Sequence, residues 1–565
     1  MARAPGASAL RDGRPAPAPG SFARLVSDVT PSTLAAVAVT ALAAAAAWHG
    51  PARADDDDVR ANLAVHSRFT DREDTPSPVL LYDRTARTFD LAPYLRPQGS
   101  DRYASTLVSA GLEGRLGWLR WAVTADTGEV RTQQFPQRSA VCGSTRTPTG
   151  LAVAASGLCD VNLDGRPSAN PTEVQLEDTR LQPAAFTSNG RLLGDELRST
   201  LLLREAWVGA ALGKNDFALV RAGRKRFTVG DGFIHDDYGT GVEANLDLGA
   251  LGPSLELGAA AFYPTRDFPR ATGLTSPMLA LRADWLPSLF EHAGLFLAVF
   301  RDRSDSLAPL FQAELAESSA VRLDRAMVGT SDYRTLARRV AAALGADRHS
   351  EGTLAWLGTS GSLRVLGPVR VDWTGAVERG RLTLGSGAGL SDIDIRGRLA
   401  WVRLRGDASR TLELSAFFLY LSGDLPPDER QRLGLPRQYG GFLGVAPYVT
   451  TTNIFFQGGV AEPFASRQAT APGVNGRGVL APGLGATFEP TRALALDLRA
   501  AWLVAPEVGP FGGTNYGPEV DLAVTWSPVR WLVLLAEADA LFPGDFFPGR
   551  ATMTKVVVGA DLVWP

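Results

Sequence analysis

The chain has 565 residues, 45% of them hydrophobic and 21% charged, with a formal net charge of −3 and a mean hydropathy of −0.02. That balance is too polar for a bundle of membrane helices, too apolar for a disordered chain, and too acidic for bulk nucleic-acid binding. Two cysteines in such a length exclude a disulfide scaffold and a four-cysteine metal site.

Residues 1–54 read as an export signal. Arg3, Arg11, Arg14 and Arg24 precede an Ala/Val/Leu run from Leu34 to Trp48. Ala52-Arg53-Ala54 then supplies a small-x-small cleavage pattern ahead of Asp55 to Asp58. The apolar run is about 15 residues, short of the ~20 that a spanning helix needs, so a signal peptide cleaved after Ala54 is expected rather than an anchor. The exported chain, residues 55–565, carries 52 basic and 58 acidic residues.

No later segment approaches 18 consecutive apolar residues, which leaves no candidate membrane helix. What recurs is a segment apolar at every second position. In chain order such segments lie near 61–70, 103–114, 117–126, 199–212, 216–229, 241–249, 254–263, 277–286, 291–303, 352–360, 366–378, 394–405, 410–422, 441–450, 477–489, 492–504, 516–527, 530–541 and 549–564. In 492–504, Leu494, Leu496, Leu498, Ala500, Trp502 and Val504 share one face and Asp497 and Arg499 the other. These segments number nineteen, whereas single-chain bacterial barrels have even counts; eighteen strands are expected, sixteen next, with 352–360 and 441–450 showing the weakest alternation.

Alternation also fits a soluble sandwich. Three features favour a transmembrane antiparallel β-barrel. The segments are near the 9–11 residues with which a tilted strand crosses hydrocarbon. Trp285, Trp502, Trp526, Tyr263 and Tyr420 stand at strand ends, as an interfacial girdle requires. Tight turns at Glu489–Arg492 and Ser527–Arg530 alternate with Gly/Pro-rich connections at 505–516 and 543–550, the pattern of short periplasmic turns and long extracellular loops. Residues 55–565 therefore read as one barrel, and sixteen or more strands leave room for water inside.

Four connections are long: 71–102, 127–198, 304–351 and 423–476. The second holds Cys142 and Cys159, spaced for one disulfide in an exported protein. Next to them, Asp160, Asn162, Asp164 and Gly165 match the first half of a calcium loop, but the closing position is Pro171 and Glu173 comes two residues late. A calcium site and a solvated Asx-rich turn are the two readings; no other cofactor is indicated. In 304–351, Leu336, Val340 and Leu344 recur at helical spacing around Arg338 and Arg339, a small helix in the lumen or on the surface.

The stretch Leu203-Arg204-Glu205-Ala206-Trp207-Val208, followed by Val220-Arg221-Ala222-Gly223-Arg224-Lys225-Arg226-Phe227 and Gly230-Asp231-Gly232, resembles the corresponding hairpin of alginate-export outer-membrane channels and their porin-like relatives. Tyr448, Asn453-Ile454-Phe455-Phe456, Gly483-Leu484-Gly485 and Glu489-Pro490-Thr491 fall in the same order as in that family. The resemblance implies a channel for polyanions or small solutes with arginines in the lumen. The polar faces here are mixed: with Arg224 and Arg226 they carry Glu243, Asp247, Arg282, Asp284, Arg370, Asp372, Glu378, Asp497, Arg499, Asp521 and Glu537 as candidate pore-lining residues. Residues 554–565 also resemble the terminal strand that the bacterial barrel-assembly machinery recognises, with Val556, Val558, Ala560, Leu562 and Trp564 on one face and Pro565 after the aromatic.

Catalytic constellations are weak. His66, His235, His292 and His349 remain after the signal, and His235-Asp236-Asp237 reads as a solvated acidic loop on the outside rather than half of a protease site. No phosphate loop, His-Glu-x-x-His or basic-aromatic stripe is present. An enzyme is not expected. The sequence points to a Gram-negative outer-membrane porin-like channel, set among lipid and lipopolysaccharide, for diffusion or export of small or polymeric hydrophilic solutes. The alternatives are a loop-plugged surface barrel with a structural or adhesin-like role and, last, a barrel hydrolase.

Overall fold

The structure is a computed structural model that describes residues 58–73, 79–83, 88–90, 101–128, 173–175, 202–213, 217–251, 254–264, 276–303, 307, 349–386, 389–425, 427–435, 437–449, 451–456, 473, 476–509, 512–546 and 552–564. The expected signal segment, Cys142, Cys159, the candidate calcium-loop residues Asp160, Asn162 and Asp164, and the helical spacing at Leu336–Leu344 lie outside these residues.

Eighteen strands form a closed antiparallel barrel. They are β1 (Asp58–Glu73), β2 (Asp101–Leu116), β3 (Leu119–Gly128), β4 (Leu202–Leu212), β5 (Ala218–Val229), β6 (His235–Asp247), β7 (Leu255–Pro264), β8 (Met278–Ser288), β9 (Glu291–Asp302), β10 (His349–Leu366), β11 (Val369–Ser386), β12 (Arg398–Asp407), β13 (Leu412–Leu421), β14 (Val479–Thr491), β15 (Leu494–Val504), β16 (Asn515–Val529), β17 (Leu532–Leu541) and β18 (Met553–Trp564). Each pairs with its neighbour in sequence, and β1 closes on β18 from Leu63↔Trp564 to Glu73↔Thr554. Closure leaves no strand edge unpaired, the condition for a sheet in hydrocarbon. Two short strands, Gly389–Ile395 and Gln438–Tyr439, join the wall sheet beside β11, and a small separate sheet pairs Val79–Asp83 with Thr88–Asp90 and Glu173–Gln175.

The alternation sets which face each side chain takes. In β15 and β16 the pairs Leu498↔Leu522 and Ala500↔Val520 point outward while Arg499↔Asp521 points inward. Around the wall the outward positions are exposed and apolar: Leu63, Leu112, Val123, Val208, Leu246, Leu281, Leu295, Leu357, Val377, Leu404, Leu414, Leu484, Leu498, Leu522 and Val558. An apolar surface this continuous has no place against water. Trp285, Trp526, Trp531 and Trp564 edge the belt at the short-turn end, and Phe69, Phe418, Trp502 and Phe542 at the other. Leu494, opposite Trp526, and Trp502 stand ~26 Å apart along β15 at ~3.3 Å per residue, or ~20 Å along the axis after a tilt of about 40°, close to the apolar band of membrane barrels. Among the described residues no helix is long and apolar enough to cross a membrane.

The start of β1, the end of β18 and the tight turns share one end, and the long connections share the other. Gly117 (φ 59°) and Gly367 (φ 51°) make two of the tight turns, where an L side chain would be strained. The strands run through Glu489–Thr491 and Ser527–Val529, with register shifts absorbing the prolines, so these turns tighten to 492–493 and 530–531.

Of the two segments with the weakest alternation, one is a wall strand and the other departs from the sequence reading. Residues 352–360 belong to a long wall strand, β10, whereas 441–450 is no wall strand at all. Phe442, Leu443, Val445 and Ala446 are buried inside the barrel. Alternation over 441–450 arises because a segment threading a lumen meets apolar wall on one side and polar groups on the other. The main core of the molecule accordingly lies inside the barrel, where Phe262, Phe300, Trp356, Leu382, Leu419 and Leu503 of the wall pack with Phe233, Ile234, Phe442, Leu443, Ile454 and Phe455.

Candidate functional site

Two segments enter the lumen from the long-loop end and meet there. The first is the tip of the β5–β6 hairpin. Pairing between β4 and β5 stops at Ala206↔Arg224, while β5 and β6 stay paired up to Val229↔His235, so the tip leaves its neighbour β4. Gly223 permits this at φ 132° with its Cα against the Ala206 carbonyl. Substituting Gly223 with Ala should cost about 1–3 kcal/mol, from a backbone conformation that L residues avoid. Urea unfolding of the refolded barrel checks this; a loss below about 0.5 kcal/mol would mean the bend does not depend on glycine.

The turn that follows, Gly230-Asp231-Gly232, has three successive positive φ angles (59°, 48°, 88°). It carries Asp231 to the far wall, where its carboxyl accepts the Thr374 hydroxyl at 2.6 Å.

The second segment is residues 440–456. Its first part is held by carboxyl groups: Gly440 N donates to Asp424 at 2.7 Å and Leu443 N to Glu378 at 2.8 Å. It then binds the hairpin tip through Val445 N to Ile234 O (2.8 Å), Asp236 N to Ala446 O (2.8 Å) and Tyr448 N to Gly232 O (2.9 Å). Its last part docks on β16–β18. Asn453 N donates to Asp521 (3.2 Å), Asn453 Nδ2 to Asp539 (3.1 Å), and the Ile454 and Phe455 amides both donate to Glu519. Lys555 Nζ reaches the Asn453 carbonyl at 3.3 Å. A loop inside a barrel has amides with no strand partner, and inward carboxyl groups of the wall supply the acceptors.

Behind the anchored segment, at the long-loop rim, Arg477 is fully buried and donates to the Asp424 carbonyl at 3.0 Å. Burial, with Asp424 adding to it and Arg477 opposing, pushes the carboxyl of Glu507 in the neighbouring loop up from its ordinary range.

The sequence-derived candidates separate accordingly. Glu378, Asp521 and Glu537 are all buried; the first two anchor the inner loop and Glu537 pairs with Lys555 at 2.7 Å. Arg224 and Arg226 share a face of β5, but not that of Glu243, which is held instead by Arg221 at 2.7 Å and by Lys225. Arg226 pairs with Asp236 at 2.7 Å, and Arg224 Nε donates to the Leu203 carbonyl at 2.6 Å.

Arg282, Asp284, Asp372 and Asp497 point inward in the short-turn half of the lumen. There Asp372 accepts from Ser362 (2.6 Å) and faces Arg403 (3.2 Å) and Arg405 (2.9 Å), and Asp497 accepts from Thr487 at 2.6 Å. Arg370 opposite Arg405, and Arg499 opposite Asp521, take inward positions in the same register. Asp247 caps the Gly249 amide at the end of β6. His235 is no part of a solvated loop: it opens β6 fully buried, its backbone bridged to Ala446 and its ring 5.0 Å from that of Phe262.

No family model and no curated protein matches the chain. Solved structures similar to it include Pseudomonas aeruginosa OccK9 (OpdG), with 11% identity over 90% of this chain and 98% of that one and a TM-score of 0.45. A BenF-like porin from Pseudomonas fluorescens Pf-5 shows 10% identity over 90% and 99% with a TM-score of 0.44. Acinetobacter baumannii OccAB3 shows 9% over 90% and 99% with a TM-score of 0.40. At about one identity in ten, side-chain chemistry does not transfer from those proteins to this one.

Two polar regions lie beside the inner segments. One lies toward β1–β4, where Arg68 and His66 pair with Asp561 (2.6 and 2.9 Å), and Arg204 pairs with Asp126 and donates to Ser109 at 3.1 Å. Tyr238 of the hairpin lies within electrostatic reach of Arg204 and Asp126, and Arg226 is 50% exposed on the same hairpin face. The other is a cavity of about 320 Å³ below the hairpin tip, walled by β6–β10.

The inner segment and its anchors were not foreseen from sequence. The signal that could have found them is Phe442-Leu443 and Ile454-Phe455-Phe456, apolar runs that an outside loop has no reason to carry.

Proposed function

We propose that the protein is a porin-like channel of the Gram-negative outer membrane that admits small hydrophilic and charged solutes past a constriction built from the β5–β6 tip and residues 440–456. One observation carries the reading: a closed barrel with an apolar outer belt holds charged pairs inside, and it is narrowed by a hairpin tip that bends off the wall and by residues 440–456, which are tethered to the wall through hydrogen bonds. Ions can pass where fixed charges hydrate the lumen, and the remaining gap sets the size limit.

The path in this proposal runs between the hairpin and β1–β4, past Arg226, Tyr238, Arg204 and Arg68. The hairpin that resembles alginate-export channels is the one bordering it. Acidic partners stand beside most of these arginines, which suits small solutes better than a polyanion. Lipopolysaccharide would surround the long-loop end, and the strand ending in Trp564 would be the one presented to the barrel-assembly machinery. No catalytic step and no cofactor form part of this reading.

The test is single-channel recording of residues 55–565 in planar bilayers. Stable ohmic steps are expected, and Arg226→Glu should move the reversal potential in a salt gradient toward cation preference. A folded, inserted barrel that never conducts would favour instead a surface barrel whose lumen is a packed plug, a reading that the carboxyl-anchored loop across the interior also supports.

A further inference from the structure

The 320 Å³ cavity below the hairpin tip has a composition that the channel reading does not require. Its size is at the lower end for small-molecule pockets, roughly 300–1,000 Å³. One end is apolar: Phe227 stacks on Phe262 at 4.1 Å, with Phe296, Ala260 and Ala280 beside them. The other end carries Asp231, Glu243, Glu256 and Asp284, with Arg282 and the His292 imidazole as the lining bases.

Most of these charges already have partners. Glu243 is held by Arg221 and Lys225. Arg282 lies flat over Gly258, donates to Glu256 at 2.6 Å and stands 3.6 Å from Asp284. An anion would have to displace Glu256 to reach that guanidinium. Asp231 is engaged by the Thr374 hydroxyl through one oxygen, and its charge repels that of Asp284 across the cavity. Gly294 makes room for the Asp284 carboxyl, which a Cβ there would strike.

Ser360, a tenth exposed, also lines the space, and among the described residues its hydroxyl has no hydrogen-bond partner. Two carboxylates and one open hydroxyl thus converge beside an aromatic wall. A divalent metal is not indicated, since among the described residues no three His, Cys, Asp or Glu side chains come together in a metal-holding group.

We infer that this cavity binds a primary ammonium carrying an apolar, arene-sized body, its N–H groups shared between Asp284, Asp231 and Ser360 and its body against Phe262 and Phe296. The inference rests on the channel reading for its purpose, as a holding point for a cationic solute on the short-turn side of the constriction. Its geometry stands independently of conduction. A primary ammonium has three donors for these three acceptors, and aromatic faces favour a nearby cation.

The experiment is isothermal titration of the refolded barrel, residues 55–565, in detergent at pH 7 with 2-phenylethylamine, and with 3-phenylpropionate as the anion of matching shape. Blank titrations into micelles are subtracted. Saturable binding of one amine per barrel is expected, weakened tenfold or more by Asp284→Asn and several-fold by Asp231→Asn, with the propionate silent. Asn tolerates the positive φ at position 231 and can still accept from Thr374, so this second variant keeps the test valid should Asp284→Asn fail to refold. Equal affinity in the variants, tighter binding of the propionate, or no saturable amine binding by a preparation that conducts would each overturn the site. Amine binding by a barrel that never conducts would uphold the site and remove only the channel reading.

Discussion

Removing the carboxyl groups that hold the inner loop should open the channel. In Glu378→Ala/Glu519→Ala, the amides of Leu443, Ile454 and Phe455 lose their acceptors. Leaving a buried amide without its acceptor costs about 1–3 kcal/mol, so with three amides affected the double variant loses roughly 3–6 kcal/mol of docking energy after partial compensation by water. At 1.4 kcal/mol per factor of ten, that raises the undocked population by two orders of magnitude or more. The wall should survive, since neither side chain takes part in the backbone ladder and both face inward.

Single-channel conductance should therefore rise several-fold with added gating noise, and residues 440–456 should become cleavable by protease in the folded barrel. A folded double variant with unchanged conductance and an uncut loop would show that this segment is not the constriction.

Arginine on the outer belt should destabilise the protein in a bilayer by about 2–4 kcal/mol per site at mid-depth, and far less near the girdles. Leu357, 59% exposed midway along β10, and Leu498, 48% exposed on β15, are the positions to change. The matched control is Leu366→Arg, at the tight turn after β10 and 74% exposed. Urea titrations in liposomes should separate the two classes by at least 1 kcal/mol. Were the outer face in water, exposed Leu→Arg would be near neutral at every depth; equal stabilities across the three variants would remove the membrane reading.

The wall was readable from local pattern because each strand's two faces meet different solvents. Leu494 to Val504 alternates for the same reason that Leu532 to Leu541 does: one side meets lipid and the other meets water or polar partners. The same rule misassigned 441–450, since a segment threading the lumen also meets two environments. Glu378 and Asp521 look on a strand like any inward acid; what distinguishes them is a loop backbone arriving from some sixty or more residues away in sequence. Arg224 and Arg226 show a different limit. Spacing placed them together on one face of β5, but which side of the lumen that face meets depends on the hairpin bending away from β4 after Gly223.

The wall strands, the outer belt and closure through the strand ending in Trp564 thus follow from period-two patterning, which acts over neighbouring residues and repeats around the wall, with the even count of closed barrels removing one segment too many. The position of the hairpin tip, the docking of residues 440–456 and the convergence of Asp231, Asp284 and Ser360 follow from three-dimensional packing alone. They depend on backbone amides and single carboxyl groups meeting across the barrel, contacts between distant parts of the chain that leave no periodic mark in either partner.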